Sequence, residues 1–322
     1  MADDLHAVAD LIGDALNLAP IEVSELLKAS PFIAALPMEP SSNGVTHLYT
    51  KETGAPVVGF RAPNAGRDMD SSDDTLVTVT LKVLDFSWLA DVAIANAWRK
   101  GREAYIAREG ARHVKAALVA FERQVINGIV GASDSAGASG SAAGFAGFRD
   151  AATVDALADA MVVNATGAVA DTASSVWAVR IATDGVCGVF KGEGDSFELG
   201  ETTVIQSVVN PGTDNKTFPA YYTPGTSWLG LQVGSAFDIG RIANLTASTA
   251  PLTDDLIAQL LEKFPVGYGP THLLMSRRSR RQLQDSRTAT NVTGAPAPFP
   301  EESFGVPIIA TDAIGNTEEL LA

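Results

Sequence analysis

Residues 45–86 read VTHLYTKETGAPVVGFRAPNAGRDMDSSDDTLVTVTLKVLDF. Two β-prone runs, THLYT with PVVGFR and then TLVTVTLKVL, flank a polar stretch, and Leu76, Val77, Val79, Leu81, Val83 and Leu84 include a clear two-residue alternation. The reading is a long β-hairpin with a polar tip near residues 62–74. A two-stranded ribbon of that length is barely stable alone in water, so it requires a partner surface.

The segments on either side share that incompleteness. Upstream, residues 1–44 form an arm of short helical pieces, with Leu5, Val8, Ile12 and Leu16 at helical spacing and Pro20, Pro31 and Pro37 closing each piece. Such a segment makes no core of its own. Downstream, the pattern predicts one long helix over 87–128, capped by Ser87. Its apolar stripe is Val114, Leu118, Phe121, Val125 and Ile129, and Gly101 and Gly110 are candidate bends.

Residues 131–150, GASDSAGASGSAAGFAGFRD, read as a low-complexity joint. A short helix over about 151–161 and a β-rich block over about 170–248 follow. After Pro251 the order becomes helix (LTDDLIAQLLEKF, capped by Thr253), strand (HLLM), helix (SRRSRRQLQDSR, capped by Ser276) and strand (VPIIAT).

Composition narrows the function. The 322 residues carry 23 Lys+Arg against 38 Asp+Glu, a net charge of −15, and 46% are hydrophobic. That excludes intrinsic disorder and argues against a surface that grips nucleic acid or anionic membrane throughout. The single cysteine, Cys187, cannot make an internal disulfide and points to a reducing compartment. The N-terminus, with Asp3, Asp4 and Asp10, does not read as a signal peptide, and no window is long and apolar enough for a membrane helix.

Charge is segregated. Residues 88–128 hold seven Lys+Arg against four acids, and Arg277, Arg278, Arg280, Arg281 and Arg287 form the densest basic cluster. Arginine could hold phosphate there, but the stronger reading is a solvated helix face answered by acids of this chain or a neighbour.

No catalytic constellation emerges. G-x-S-x-G, the P-loop and G-x-G-x-x-G are all absent, and His6, His47, His113 and His272 have no second ligand at helical spacing. Asp68, Asp70, Asp73 and Asp74 resemble a calcium loop but lack its glycine and its terminal glutamate, so a solvated acidic tip is favoured. No catalytic, cofactor or metal residue is assigned. The arm, the ribbon and the long helix instead fit a subunit completed by copies of itself.

In that order the pieces resemble the major capsid proteins of tailed phages, the Hong Kong 97 type of fold shared with herpesvirus capsids and encapsulins. SELLKASPFIAALPMEPSSNGVTHLYTKETGAPVVGFRAPNAG resembles the arm entering the extended loop, and residues 87–128 resemble the spine helix. VINGI and GFAGFRD resemble the segment after it, and SSVWAVRIATDGVCGVF and GLQVGSAFDIGRIANLT are similar to peripheral-domain strands. DDLIAQLLEKF, THLLMSRRSRRQLQDSR and FGVPIIATDAI resemble the axial domain.

The resemblance implies an α+β subunit divided into arm (1–44), extended loop (45–86), peripheral domain (87–150 and about 170–248) and axial domain (251–322). It implies a structural, non-enzymatic role: an icosahedral shell of pentamers and hexamers around phage double-stranded DNA, read without sequence specificity, in a virion assembled in the bacterial cytoplasm. Partners would be the chain itself, a separate scaffolding protein, a portal and, in some shells, decoration proteins. Cofactors and membranes play no part. Candidate intersubunit contacts are Lys51, Arg61, Arg67, Asp68 and Asp70 on the loop, and Arg277, Arg278, Arg280 and Arg281. Some relatives cross-link a loop lysine to a neighbour's asparagine, but nothing marks partners for Lys51, and no cross-link is expected. An encapsulin-like compartment is the alternative within the fold, and a cytosolic hydrolase the alternative outside it.

Overall fold

The computed structural model describes residues 6–7, 26–54, 56–68, 70–133, 139–192, 197–209, 217–291 and 295–322. Most of the arm, residues 1–5 and 8–25, therefore lies outside the described residues. Its C-terminal part is not a loose extension. A short strand β1 (His6–Ala7), a helix α1 (Pro31–Ala35) and β2 (Pro37–Pro40) lead into the hairpin, and Phe32, Ile33, Leu36 and Met38 are fully buried. Proline at the start of α1 suits a position whose N–H has no helical partner, and β2 pairs in parallel with a later strand.

The ribbon forms as read. Strand β3 (Thr46–Gly54) runs antiparallel to β4 (Asp73–Thr80), with His47 opposite Val79 and Tyr49 opposite Val77. The difference is where β3 ends. PVVGFR stays outside the ladder, because Pro56 offers no N–H and Gly54 weakens the strand, so the loop runs from 56 to 72. The ribbon's base rests on a later strand: Tyr49 Oη donates to the Val233 carbonyl (3.0 Å), and His47 Nε2 is 2.7 Å from Gln232 Oε1.

The long helix is shorter than its sequence pattern suggests. After β5 (Lys82–Asp85), residues Trp88–Asp91 form strand β6, a short helix α2 (Val92–Asn96) follows, and the spine helix α3 spans Arg102–Asn127. Ser87 is not a cap. Asp91 caps α2 by accepting from the Ala93 N–H, and Gly101, at φ +92°, separates the two helices. WLAD folds as a strand because Trp88 and Ala90 point to one buried face, a period of two that strand pairing exploits. Gly110 lies within α3 and breaks nothing. Val114, Leu118, Phe121 and Val125 are buried as the stripe predicts, but Ile129 lies past the Gly128 cap and is exposed.

The remaining strands are β7 (Val162–Asn164), β8 (Ser174–Val179), β9 (Val186–Phe190), β10 (Phe197–Leu199), β11 (Thr203–Val209), β12 (Thr217–Thr223), β13 (Gly225–Val233) and β14 (Ile239–Leu245). Helix α4 (Asp254–Glu262), β15 (His272–Met275), α5 (Arg277–Ala289), β16 (Glu302–Ser303) and β17 (Val306–Ala310) complete the chain. Residues 151–161 form successive turns, not the expected helix. Asp159 accepts from the Ala156 N–H there, a local side-chain bond that competes with helix formation.

Three sheets organise these strands: β1-β2-β9-β13-β10 with β5 also on β13, β11-β12-β6, and β16-β17-β15-β8-β14-β7. The last corrects a boundary. β8 and β14, assigned to the peripheral block, occupy the middle of the sheet that holds β15 and β17, so no border falls at residue 250. All six residues of β8 are buried, as expected for a strand covered on both faces. One continuous apolar core runs from Leu27 through α3, β8, β14 and α4 to Leu283. A small satellite of Trp88, Ala90, Ala95 and Tyr221 lies under β6 and β12.

Candidate assembly surfaces

The loop tip presents apolar groups more than charge. Val57, Val58 and Phe60 are 70%, 82% and 109% exposed. The charged residues around them hold the loop's own backbone: Arg67 donates to the Val57 carbonyl, Asp70 Oδ2 accepts from the Val57 N–H (2.9 Å), and Arg61 donates to the Ala65 carbonyl (3.2 Å). Asp68 stands exposed without a partner among the described residues. Lys51 lines a cleft with Tyr49, Val77, Lys82 and the 144–147 turn. The reading by charge did not single out the apolar trio: it placed PVVGFR in the first strand of the hairpin, whereas β3 ends at Gly54 and leaves the run exposed.

The arginine cluster on α5 is answered mostly within the chain. Arg277 forks onto Asp312 (2.8 and 3.0 Å), and Arg287 forks onto Asp254 (both 2.7 Å), joining the two ends of the α4–α5 unit. Arg278, half withdrawn from water, donates to the carbonyls of Asn316, Thr172 and Leu245, and its burial lowers its pKa. Arg280 donates to the Pro300 carbonyl (2.6 Å) and stacks over Phe299 at 4.0 Å. Arg281 makes a looser single contact with Asp285 (3.4 Å), and both this pair and the Arg277–Asp312 fork are solvent-exposed.

The spine helix divides its cations. Arg108 stacks on Trp98 at 4.0 Å and pairs with Glu109, and Arg102 lies over Tyr221 at 5.7 Å. Lys115 and Arg123 have no ion pair among the described residues. They border a groove between α3 and residues 139–141, with Arg112, Ala116, Val119 and Ala120.

The end of α3 is fastened to what the sequence presents as a flexible joint. Gln124 accepts from the Ser141 N–H (2.7 Å) and donates to the Phe145 carbonyl (2.6 Å), while Phe145 and Phe148 enter the core. The Asp150 carboxylate accepts from the N–H groups of Ile129, Val130 and Gly147 (2.8, 2.8 and 2.7 Å). Residues 134–138 of the joint lie outside the described residues.

Two buried acids complete the electrostatics. Glu122 on α3, pushed up to about 7 mainly by burial, faces the first N–H groups of α1 and accepts from the Thr311 hydroxyl. Glu318 pairs with Arg241 (3.3 Å) beneath Trp177, both side chains nearly inaccessible. Among the described residues no group of three His, Cys, Asp or Glu side chains could hold a metal ion, and no helix is long and apolar enough to cross a membrane.

Comparison with known proteins settles what this geometry serves. The family model of major capsid protein GP7 matches residues 17–322. The chain belongs to the major capsid protein GP7 family. This capsid protein is therefore a structural subunit of a phage shell and not an enzyme. Its fold is similar to the cryo-EM structure of bacteriophage epsilon15 (20% identity, TM-score 0.61, 88% of this chain and 87% of that one). The likeness marks the Hong Kong 97 type of fold. The bacteriophage JBD30 capsid is more distant (11% identity, TM-score 0.48, 97% and 96% covered), as is the encapsulin of Synechococcus elongatus PCC 7942 (8%, TM-score 0.41, 67% and 88% covered). No curated protein matches the sequence.

Proposed function

We propose that this capsid protein closes an icosahedral shell of pentamers and hexamers around double-stranded phage DNA, its extended loop acting as the principal clasp between copies. The family match carries the capsid role, and the exposed tip carries the clasp: Val57, Val58 and Phe60 form an exposed apolar patch beyond the end of β3, while the ribbon's base is packed on β13. Lys51 and Asp68 flank that contact. Arg281 and Arg277, each held only by an exposed surface pair, are the residues of the α5 cluster left to reach a neighbour, because Arg278 and Arg280 are engaged at home. The unit built on the β8 sheet with α4 and α5 serves as the axial domain, and α3 with the β6 and β13 sheets as the peripheral one. A separate scaffolding protein and a portal take part, with decoration proteins as further partners, during assembly in the bacterial cytoplasm. An acidic subunit repels packaged DNA overall and holds it as content, without reading its sequence.

The test is Val58→Asp with Phe60→Asp. Both side chains are solvated in the isolated chain, so the expected result is an unchanged denaturation midpoint and a shell yield, by velocity sedimentation, reduced at least about tenfold. Normal shells from that variant would refute the clasp.

A further inference from the structure

Helix α3 bears a cationic row on the side turned away from the core. Arg108, Arg112, Lys115 and Arg123 stand at steps of four, three and eight residues, one line down the helix, whereas Val114, Leu118, Phe121 and Val125 face inward. Glu109 is the acid beside them, and it serves two arginines, Arg108 at 2.8 Å and Arg112 at 3.0 Å. Four cations against that carboxylate, 4 − 1, leave a local charge of +3 in a chain of −15. Lys115 has no ion pair among the described residues, and Arg123 Nε is buried without a hydrogen-bond partner among them. The groove these two border with Arg112 therefore holds charge that no described residue answers.

The lining decides what the groove can hold. Its floor is Ala116, Val119 and Ala120, beside the 139–141 segment, where Ser139 adds a hydroxyl. A docked protein helix is anchored by large apolar side chains in apolar pockets, and here Val119 is the largest apolar group. No aromatic ring lines the groove, so unpaired bases have nothing to stack on. What remains is a smooth floor that lets a ligand backbone approach closely, rimmed by cations and a hydroxyl, the donors that bind phosphate oxygens. From Arg112 to Arg123 the helix rises about 17 Å, a length over which a duplex presents about ten phosphate charges. We infer that the groove of Arg112, Lys115, Ala116, Val119 and Arg123 takes the phosphodiester backbone of double-stranded DNA, whatever its sequence, and that this face of α3 is turned to the packaged duplex. The inference rests on the DNA-enclosing shell proposed above, and it gives the DNA an anchoring surface on a subunit whose net charge repels it.

Fluorescence anisotropy of the unassembled full-length protein with a labelled duplex of about 20 base pairs tests it, in a salt series from about 50 to 200 mM. Three phosphate contacts at about 0.9 each predict a log–log salt slope of about −2.7, a roughly fortyfold loss of affinity across the series. Arg112→Gln with Lys115→Gln should flatten the slope to about −0.9 and weaken binding at least about tenfold. The denaturation midpoint should hold, because both side chains are exposed. Ala116→Glu, which sets a carboxylate on the exposed floor, should weaken binding as well. Lys191→Gln with Lys263→Gln removes the same charge elsewhere and should leave the slope unchanged. A duplex that does not bind, a slope indifferent to Arg112→Gln with Lys115→Gln, or equal losses from the two double variants would overturn the inference. So would polyglutamate bound more tightly than the duplex, the mark of a seat for an acidic protein segment. Electron microscopy after assembly keeps the two readings apart: shells from a chain that fails these tests defeat the inference alone, whereas a chain that forms no shell counts against the shell-building reading.

Discussion

Replacing Gly128 by alanine probes the junction between spine helix and joint. The residue sits at φ +60°, ψ −151°, a region essentially reserved for glycine, where an L side chain costs on the order of 1–3 kcal/mol. An added Cβ would lie 1.7 Å from Asp150 Oδ2 and 2.6 Å from the Gly147 nitrogen, so Asp150 must leave. Its departure strands up to three N–H donors, those of Ile129, Val130 and Gly147, and each hydrogen bond to a charged group is worth about 1.5–3 kcal/mol. Taking mid-range strain and the loss of a single bond, the destabilisation is at least about 4 kcal/mol, a large part of the 5–15 kcal/mol typical of a domain. Urea denaturation of the unassembled subunit, followed by tryptophan fluorescence, measures it. Asp150→Ala should cost less than Gly128→Ala, and the double variant should fall well short of the sum, since one substitution already removes what the other would. A shift below about 1 kcal/mol for Gly128→Ala, or strict additivity, would refute the reasoning.

Removing residues 1–25 should leave a soluble, folded subunit, whereas removing 1–40 strips Phe32, Ile33, Leu36 and Met38 from the core and should yield insoluble protein; circular dichroism and solubility decide. Glu122 titrates near 7 in the fold against an ordinary 4.5, so the native state binds the proton more tightly. Its contribution favours folding at low pH and is lost as pH rises from 4.5 to 7, by about 3 kcal/mol in total. Glu122→Gln should flatten that part of the pH–stability curve, and an unchanged slope would contradict the assignment. Arg278→Ser should destabilise by about 2 kcal/mol through three carbonyls left without their donor, while Arg281→Ser should stay within about 0.5 kcal/mol; thermal denaturation separates the two.

Elements whose identity rests on local pattern were readable in the sequence. The hairpin showed in its alternation, α4 and α5 in their Thr253 and Ser276 caps, and the second half of α3 in the stripe from Val114 to Val125. What local pattern left hidden came from long-range pairing. Trp88–Asp91 becomes a strand because β12 lies beside it, and β8 and β14 join β15 across a boundary that composition alone would draw. The joint looked flexible because it is built of small residues, yet small residues are what permit the close approach to Gly128 and Gln124. The arginine cluster was legible as a charged helix face, but its acids, Asp312 and Asp254, lie 35 and 33 residues away. At the loop, charge drew attention to Arg67 and Asp70, whereas exposure singles out Val57, Val58 and Phe60, a distinction only the end of β3 reveals.

Cryo-electron microscopy of the purified full-length chain tests the central claim most directly. Closed icosahedral shells tens of nanometres across, with the 56–72 loop of each subunit lying over a neighbour and Val58 and Phe60 buried there, are the predicted result. A chain that remains monomeric, or shells in which the loop tip projects into solvent, would contradict it.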